Sequence, residues 1–260
     1  MFIALDIGNS NTVVGFMKDG RTDGTYRISN TASHTSDEYG LLILQFLAMS
    51  GYRPEDVEDV IICSVVPQLL RGFKSCFSNF FGIKPLVIAP GLKTGIRLKM
   101  PDPRQLGSDI LTGIVAAYNL YGGPALVIDM GTATTVAAVN SEGTVEMCLI
   151  APGLETQAKS LSSNTAQLPH VELKKPSSAT ANTTETAMQT GLYYSFVGGI
   201  ERMIKLCKDE LNCDFTVVAT GGLSSVIKED CKLIDIYDPD LIFEGMDIIR
   251  EKNRQNAGKF

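Results

Sequence analysis

The sequence is poor in the residues that build metal sites and disulfide scaffolds. Its 260 residues include no tryptophan, two histidines and six cysteines. No two cysteines have the Cys-x-x-Cys spacing, so the chain offers no ligand set typical of a structural zinc site. A chain of this length also does not need disulfides to hold a core. We therefore predict that the cysteines are buried, reduced thiols.

The chain also lacks a basic excess and a long apolar run. Its 23 lysines and arginines stand against 29 acidic residues, a net charge of −6, which argues against a broad surface for nucleic acid. The most apolar stretch, residues 110–128, is interrupted by Asn119, Gly122, Gly123 and Pro124. The sequence begins without the basic and hydrophobic segments of a signal peptide. We expect a cytoplasmic protein that binds neither nucleic acid nor membranes.

An internal repeat indicates the architecture. Residues 6–13 read Asp-Ile-Gly-Asn-Ser-Asn-Thr-Val, and residues 129–136 read Asp-Met-Gly-Thr-Ala-Thr-Thr-Val. Each copy lies between two short apolar runs, which predicts a β-hairpin at the start of each half. Further strands alternate with segments of helical periodicity. The sequence therefore predicts an α/β protein of two related domains, residues 1–115 and 116–260.

Several other elements can be predicted from periodicity and composition. Apolar stripes predict helices over residues 37–49 and 108–121, and a longer helix over 188–211 that is interrupted near Gly198 and Gly199. A run rich in serine and threonine over residues 176–186 predicts an exposed loop.

The two repeated turns are suited to binding phosphate. Gly8 and Gly131 allow close approach of the backbone, and neighbouring N–H, hydroxyl and amide groups can donate to phosphate oxygens. Asp6 and Asp129 stand where a carboxylate can hold a cation that bridges phosphates. Each copy alone could be only a hairpin turn. Two copies half a chain apart favour a nucleotide cleft between the halves.

Taken together, these segments resemble the actin/Hsp70/sugar-kinase superfamily. More closely, nearly the whole chain resembles the type III pantothenate kinases. The stretches that carry the resemblance include Asp6 to Thr12, Ser64-Val65-Val66-Pro67, Gly107-Ser108-Asp109, Asp129 to Thr135, Ala151-Pro152-Gly153 and Thr220-Gly221-Gly222-Leu223. The resemblance implies an actin-like (ribonuclease H-like) duplicated fold. It also implies ATP-dependent phosphorylation of pantothenate, the first step towards coenzyme A, by a homodimer whose acceptor pocket is completed at the dimer interface.

The resemblance also implies roles for individual residues. Asp109 is the general base, and Asp129 helps to hold a monovalent cation, K⁺ or NH₄⁺, beside the Mg²⁺ that accompanies ATP near Asp6. The residues that it implies contact ATP are Asp6, Ile7, Gly8, Asn9, Ser10, Asn11, Thr12, Val13 and Thr132. Acceptor contacts fall to Met100, Gly107, Ser108, Asp109, Ile110 and Thr184.

Asp109 has a simpler explanation that uses the residues alone. A carboxylate in the first turn of a helix complements the helix dipole, and Ser108 before it would then be the N-cap. The sequence without the resemblance does not choose between this structural role and catalysis.

The departures from the family pattern lie mainly on the acceptor side. Ile110 and Met100 stand where the family has arginine and tyrosine, and an isoleucine cannot bind the pantothenate carboxylate as an arginine does. Two alternatives to a pantothenate kinase therefore stay open. The chain could phosphorylate another small hydroxyl compound, or it could be a catalytically weak nucleotide-binding regulator.

Overall fold

The structure, a computed structural model, describes residues 1–31 and 34–257, with side chains as far as residue 254. The chain forms two compact units. The first contains Met1–Gly95, Asp102–Ala116 and the chain from Asp240 onward, and the second contains Ile96–Pro101 and Ala117–Pro239. The chain passes from the first unit to the second between Ala116 and Ala117, and the segment from Asp240 onward belongs to the first unit.

The secondary structure alternates between strands and helices along the chain. The strands are β1 (Phe2–Ile7), β2 (Asn11–Lys18), β3 (Arg21–Ser29), β4 (Asp59–Ser64), β5 (Leu86–Val87), β6 (Arg97–Leu98), β7 (Ala125–Met130), β8 (Ala133–Val139), β9 (Thr144–Pro152), β10 (Thr216–Thr220) and β11 (Ile236–Tyr237). The helices are α1 (Ser36–Met49), α2 (Pro67–Phe81), α3 (Ser108–Tyr121), α4 (Leu154–Ser163), α5 (Thr184–Leu211), α6 (Ser224–Ile227) and α7 (Leu241–Ala257).

The two sheets share one strand order. The first runs β3-β2-β1-β4-β5, and the second runs β9-β8-β7-β10-β11, with β6 added beside β9. In both five-strand series, the first three strands along the chain pair antiparallel and the last two join parallel, and β6 pairs parallel with β9. The predicted hairpin at the start of each half is confirmed, as is the duplicated α/β architecture.

The two faces of the first sheet carry different partners. Because side chains alternate along a strand, Ile3, Leu5 and Ile7 of β1 share one face and join the core formed with α1 and α2. Phe2 points to the opposite face, where Arg250 of α7 lies 3.9 Å from the centre of its ring. This packing explains why α7 belongs to the first unit although it is the last element of the chain.

The second sheet repeats the arrangement with other residues. Leu126, Ile128 and Met130 of β7 occupy the places of Ile3, Leu5 and Ile7 and pack against α5 in a second core. The helix α5 begins four residues earlier than the periodicity predicted and continues through Gly198 and Gly199 without a break. The prediction of an interruption there was wrong. The packed face of α5 stabilises the helix by more than the weak helix propensity of the two glycines costs.

All six cysteines are free thiols, and four of them are buried, whereas Cys148 and Cys213 are partly exposed, so the prediction of buried cysteines was wrong for these two. Among the described residues, no helix has the length and apolar character that crossing a membrane requires.

Candidate active site

The first repeated turn joins β1 to β2 and is braced by a side chain from β3's end. The Gly8 N–H donates to the Asn11 carbonyl at 3.0 Å, which leaves Asn9 and Ser10 at the exposed tip. Asn30 donates through Nδ2 to the Gly8 carbonyl at 2.7 Å and accepts from the Thr12 hydroxyl at 3.0 Å. Asn30 was missed in the sequence, because nothing in its spacing distinguishes it from other loop asparagines.

The second repeated turn joins β7 to β8 and is braced by backbone. The Gly131 N–H donates to the Ala133 carbonyl at 3.1 Å, so that Thr132 alone forms the exposed tip. The Thr132 carbonyl accepts from the Gly153 N–H at 3.0 Å and from the Thr156 hydroxyl at 2.6 Å. A Cβ at position 153 would lie 2.0 Å from the Gly131 carbonyl oxygen, so this close approach requires glycine.

The register of the strands changes which residues of the repeat correspond. Thr12 pairs with Ile7 in the first hairpin, and Thr134 pairs with Met130 in the second. The structural counterpart of Thr12 is therefore Thr134, although the sequence repeat aligned Thr12 with Thr135. The second turn is one residue shorter than the first, and the sequence repeat does not show this.

Asp109 lies half-buried in the first turn of α3. A Cβ at position 107 would lie 2.3 Å from Asp109 Oδ1, so the carboxylate occupies space beside Gly107 that a side chain there would contest. Oδ1 accepts from the Ile110 N–H at 2.8 Å. Burial raises the pKa of Asp109 above its usual value, and backbone N–H donors oppose that rise without cancelling it. A carboxylate of raised pKa is a stronger base once ionised, as proton abstraction requires.

Ser108 connects this turn to the end of β4. Its hydroxyl donates to the Ser64 carbonyl at 2.9 Å and accepts from the Cys63 thiol at 3.4 Å. The helix α3 already includes Ser108, and Gly107 precedes it. The expectation that Ser108 is the N-cap was therefore wrong, because its hydroxyl bonds to β4 rather than to its own helix.

The pairing of β1 with β4 places Asp6 in this neighbourhood. Asp6 is the register partner of Cys63, and paired residues of parallel strands point to the same face. The thiol of Cys63 is buried, and its pKa is raised by that burial and further by the charges of Asp6 and Asp109. The first unit thus brings together two of the predicted functional carboxylates around one buried thiol.

The remaining predicted residues belong to the second unit. Asp129 lies at the end of β7 against Gly221, whose Cβ would be 2.5 Å from Asp129 Oδ1. Met100 is half-buried in residues 96–101. Thr184 is the exposed first residue of α5 and lines a cavity of about 800 Å³ between α4 and α5, together with the apolar side chains of Leu161, Leu168, Met188 and Leu192.

The donor set suits a cation that arrives with a nucleotide. Within residues 1–31 and 34–257, no three carboxylate, histidine or cysteine side chains cluster as a metal cage would need. Mg²⁺ usually binds through one or two carboxylates together with phosphates and water. Asp6 near the end of β1 and Asp129 near the end of β7 each fit that partial role.

Most of the chain is similar in sequence to known proteins of one family. The family model described as type III pantothenate kinase matches residues 2–206. A type III pantothenate kinase from Bifidobacterium animalis subsp. lactis is 53% identical over 253 residues, covering 97% of this chain and 100% of that protein. Another from Agathobacter rectalis is 41% identical over 259 residues, covering 99% and 100%.

Solved structures show the fold. A Baf family protein from Campylobacter jejuni has a TM-score of 0.60 at 21% identity and covers 98% of this chain and 100% of its own. The activator of the 2-hydroxyisocaproyl-CoA dehydratase from Clostridium difficile, solved with bound ADPNP, has a TM-score of 0.54 at 13% identity, with coverage of 99% and 97%. The fold is actin-like, and the matches across nearly the whole length show that the chain belongs to the type III pantothenate kinase family.

Proposed function

We propose that this protein transfers the γ-phosphoryl group of ATP to the primary hydroxyl of pantothenate, giving 4′-phosphopantothenate in the first step of coenzyme A synthesis. The observation that carries the proposal is the 53% identity to a type III pantothenate kinase over 97% of the chain. The arrangement of Asp109 supports it, because phosphoryl transfer to an alcohol needs an aligned carboxylate more than covalent catalysis.

Asp109 acts as the general base in this proposal. Its Oδ1 is held by the Ile110 N–H, and we assign Oδ2 to the hydroxyl of the acceptor. The carboxylate orients the hydroxyl and takes up its proton as the new P–O bond forms. Gly107 and Ser108, which precede Asp109 in the sequence, contact the acceptor in this proposal.

The two turns bind the phosphates of ATP. Residues 6–13 offer backbone N–H groups and the exposed side chains of Asn9, Ser10 and Asn11, and Thr132 does the same at the tip of the second turn. Backbone N–H groups at a tight turn stabilise bound anions. That the nucleotide lies in a cleft between the halves stays a prediction.

Two cations complete the nucleotide site. We assign Mg²⁺ to the neighbourhood of Asp6 and a monovalent cation, K⁺ or NH₄⁺, to Asp129. When bound, they neutralise charge on the phosphates. Met100, Ile110 and Thr184 contact the acceptor in this proposal. The protein works in the cytoplasm as a homodimer and needs neither nucleic acid nor a membrane.

The test is product formation by the purified protein. With Mg·ATP, K⁺ and pantothenate, we expect ADP release that depends on pantothenate and a product heavier by one phosphoryl group in mass spectrometry. Asp109→Asn is the matched control and should form little product. A panel of other small alcohols tests the acceptor. Turnover with a panel member but not with pantothenate would contradict the acceptor assignment, and no turnover with any alcohol would favour a regulatory nucleotide-binding protein.

A further inference from the structure

A chain of hydrogen bonds connects Ser108, the residue before Asp109, to Cys63 and Ser64 at the end of β4. The Cys63 thiol donates to the Ser108 hydroxyl at 3.4 Å, and that hydroxyl donates to the Ser64 carbonyl at 2.9 Å. The Thr112 hydroxyl donates to the Ser108 carbonyl at 2.6 Å and lies 3.8 Å from the Cys63 sulfur. Cys63 and Thr112 are both fully buried.

Donor and acceptor counting gives this chain one direction. A serine hydroxyl has one proton, and here it goes to Ser64, so the second contact of the hydroxyl must be one in which it accepts. The thiol therefore donates. Full burial also favours the protonated thiol, because it raises the pKa of Cys63.

This chain of hydrogen bonds connects the turn that carries Asp109 to the first sheet. Ser64 ends β4, the strand that pairs with β1 and its Asp6. Ser108 precedes Asp109, so the tie to Ser64 sets where the first turn of α3 stands relative to that strand. Small displacements of a catalytic group can cost large factors in rate.

We propose that Cys63 and Ser108 are positioning residues for Asp109, with the thiol-to-hydroxyl-to-carbonyl chain holding the first turn of α3 against the end of β4. This proposal rests on the proposed function for its kinetic consequence. It also makes a structural claim that can be tested without turnover, because a displaced turn would admit water to the half-buried Asp109 carboxylate.

The experiment compares three cysteine variants in the full-length protein. Cys63→Ala removes the donor to Ser108, and Cys63→Ser keeps one. Cys76→Ala is the matched control, because Cys76 is another fully buried cysteine in the core formed with α1 and α2. For each we would measure kcat, the KM for ATP, the melting temperature, and the pKa of Asp109 by ¹³C-carboxyl NMR, with the signal assigned from its loss in Asp109→Asn.

We expect Cys63→Ala to lower kcat on the order of tenfold with the KM for ATP little changed. We also expect it to move the pKa of Asp109 down towards its ordinary value. Cys63→Ser should retain both properties, and Cys76→Ala should lower only the melting temperature. If Cys63→Ala matches Cys76→Ala in every measurement, the thiol only fills space and the proposal is overturned.

Two further outcomes, a variant that does not fold and a wild-type protein without activity on pantothenate, have their own tests. If Cys63→Ala does not fold, Ser108→Ala tests the same tie by removing its hydroxyl, and a kcat and an Asp109 pKa equal to those of the wild type would overturn the proposal. If the wild-type protein does not phosphorylate pantothenate, the proposed function fails. The NMR titration then still decides whether the chain positions Asp109.

Discussion

The two hairpin turns have the same place in the same strand order but are closed by different means. In the first, the Asn30 side chain fills the space beside the turn and satisfies both the Gly8 carbonyl and Thr12. In the second, register places Gly153 at the corresponding position, and the backbone itself approaches the turn. A shared frame therefore does not impose a shared local solution, because one extra tip residue changes what must fit beside it.

The difference extends to the buried threonines and to the aspartates. Thr12 donates to Asn30, whereas the hydroxyl of its counterpart Thr134 is buried and has no hydrogen-bond partner in the part of the chain that the structure describes. Asp6 is paired with Cys63 on the neighbouring strand, and Asp129 with Thr220. Asp109 lies in the first unit near Cys63. The comparison predicts that proton transfer depends on the first unit and that each turn serves a different cation.

The largest effect on activity should come from substituting Asp109, the proposed general base, which belongs to the first unit. Asp109→Asn should lower kcat by about 10²–10⁴-fold, because asparagine keeps the shape but cannot accept the proton. The KM for ATP should stay close to the wild-type value. Steady-state kinetics with pantothenate and ATP provides the measurement, and a kcat within a few-fold of wild type would remove Asp109 as the base.

The aspartates at the two turns should differ in the cation that they respond to. Asp6→Asn and Asp129→Asn should each weaken nucleotide use by about one to two powers of ten, the usual cost of losing a charge-assisted contact. Titrations at varied Mg²⁺ and varied K⁺ should show a raised Mg²⁺ requirement for Asp6→Asn and a raised K⁺ requirement for Asp129→Asn. Identical responses of the two variants to both cations would break the comparison.

The two turns are closed by different residues, so we compare substitutions of those residues. Gly153→Ala forces a Cβ against the Gly131 carbonyl and should cost about 1–3 kcal/mol of stability, as overpacking does. Asn30→Ala removes two hydrogen bonds and should cost about 1–3 kcal/mol, with weaker nucleotide binding as well. Urea unfolding compares the two, with Gly222→Ala as a control, since a Cβ there meets nothing within 4 Å. A neutral Gly153→Ala would show that the second turn can move aside.

The raised pKa of Asp109 has consequences of definite sign for activity and stability. Asp109 is a base only when ionised, so kcat should fall as the pH drops through a pKa above the usual value for aspartate of about 4. Since burial disfavours the ionised form, the folded state loses stability as the pH rises through that pKa. The melting temperature of Asp109→Asn should therefore be slightly higher than that of the wild type at pH 7. At pH 4 the difference between the two melting temperatures should be smaller. A lower melting temperature at pH 7 would contradict this.

The smallest effect is expected at the acceptor side. Ile110→Arg should lower the KM for pantothenate modestly, by a few-fold, because an arginine can pair with the carboxylate while the transferring phosphate is unaffected. Ile110→Lys is the matched control, since it restores a charge without the bidentate geometry. A higher KM in both variants would show that another group already binds the carboxylate.

The sequence by itself determined the repeated elements. The runs of Phe2 to Leu5 and Ala125 to Ile128 are apolar enough to be central strands, and each is followed by Asp-x-Gly and a second apolar run, so each hairpin can be predicted from local chemistry. The helix that carries Asp109 follows from periodicity over residues 108–121. The family resemblance then predicts that Asp109 is the general base, whereas the residues alone do not choose between that role and a structural carboxylate in the first turn of a helix.

The tertiary structure alone decided how those elements are finished. The shorter second turn depends on Gly153, 22 residues after Gly131, and the brace of the first turn depends on Asn30 from the end of another strand. The C-terminal helix joins the first unit because Arg250 stacks on Phe2 and pairs with Asp59 at 3.5 Å. These features arise from contacts between residues far apart in the chain, and local propensity contains no information about which distant backbone or side chain will arrive to fill a given space.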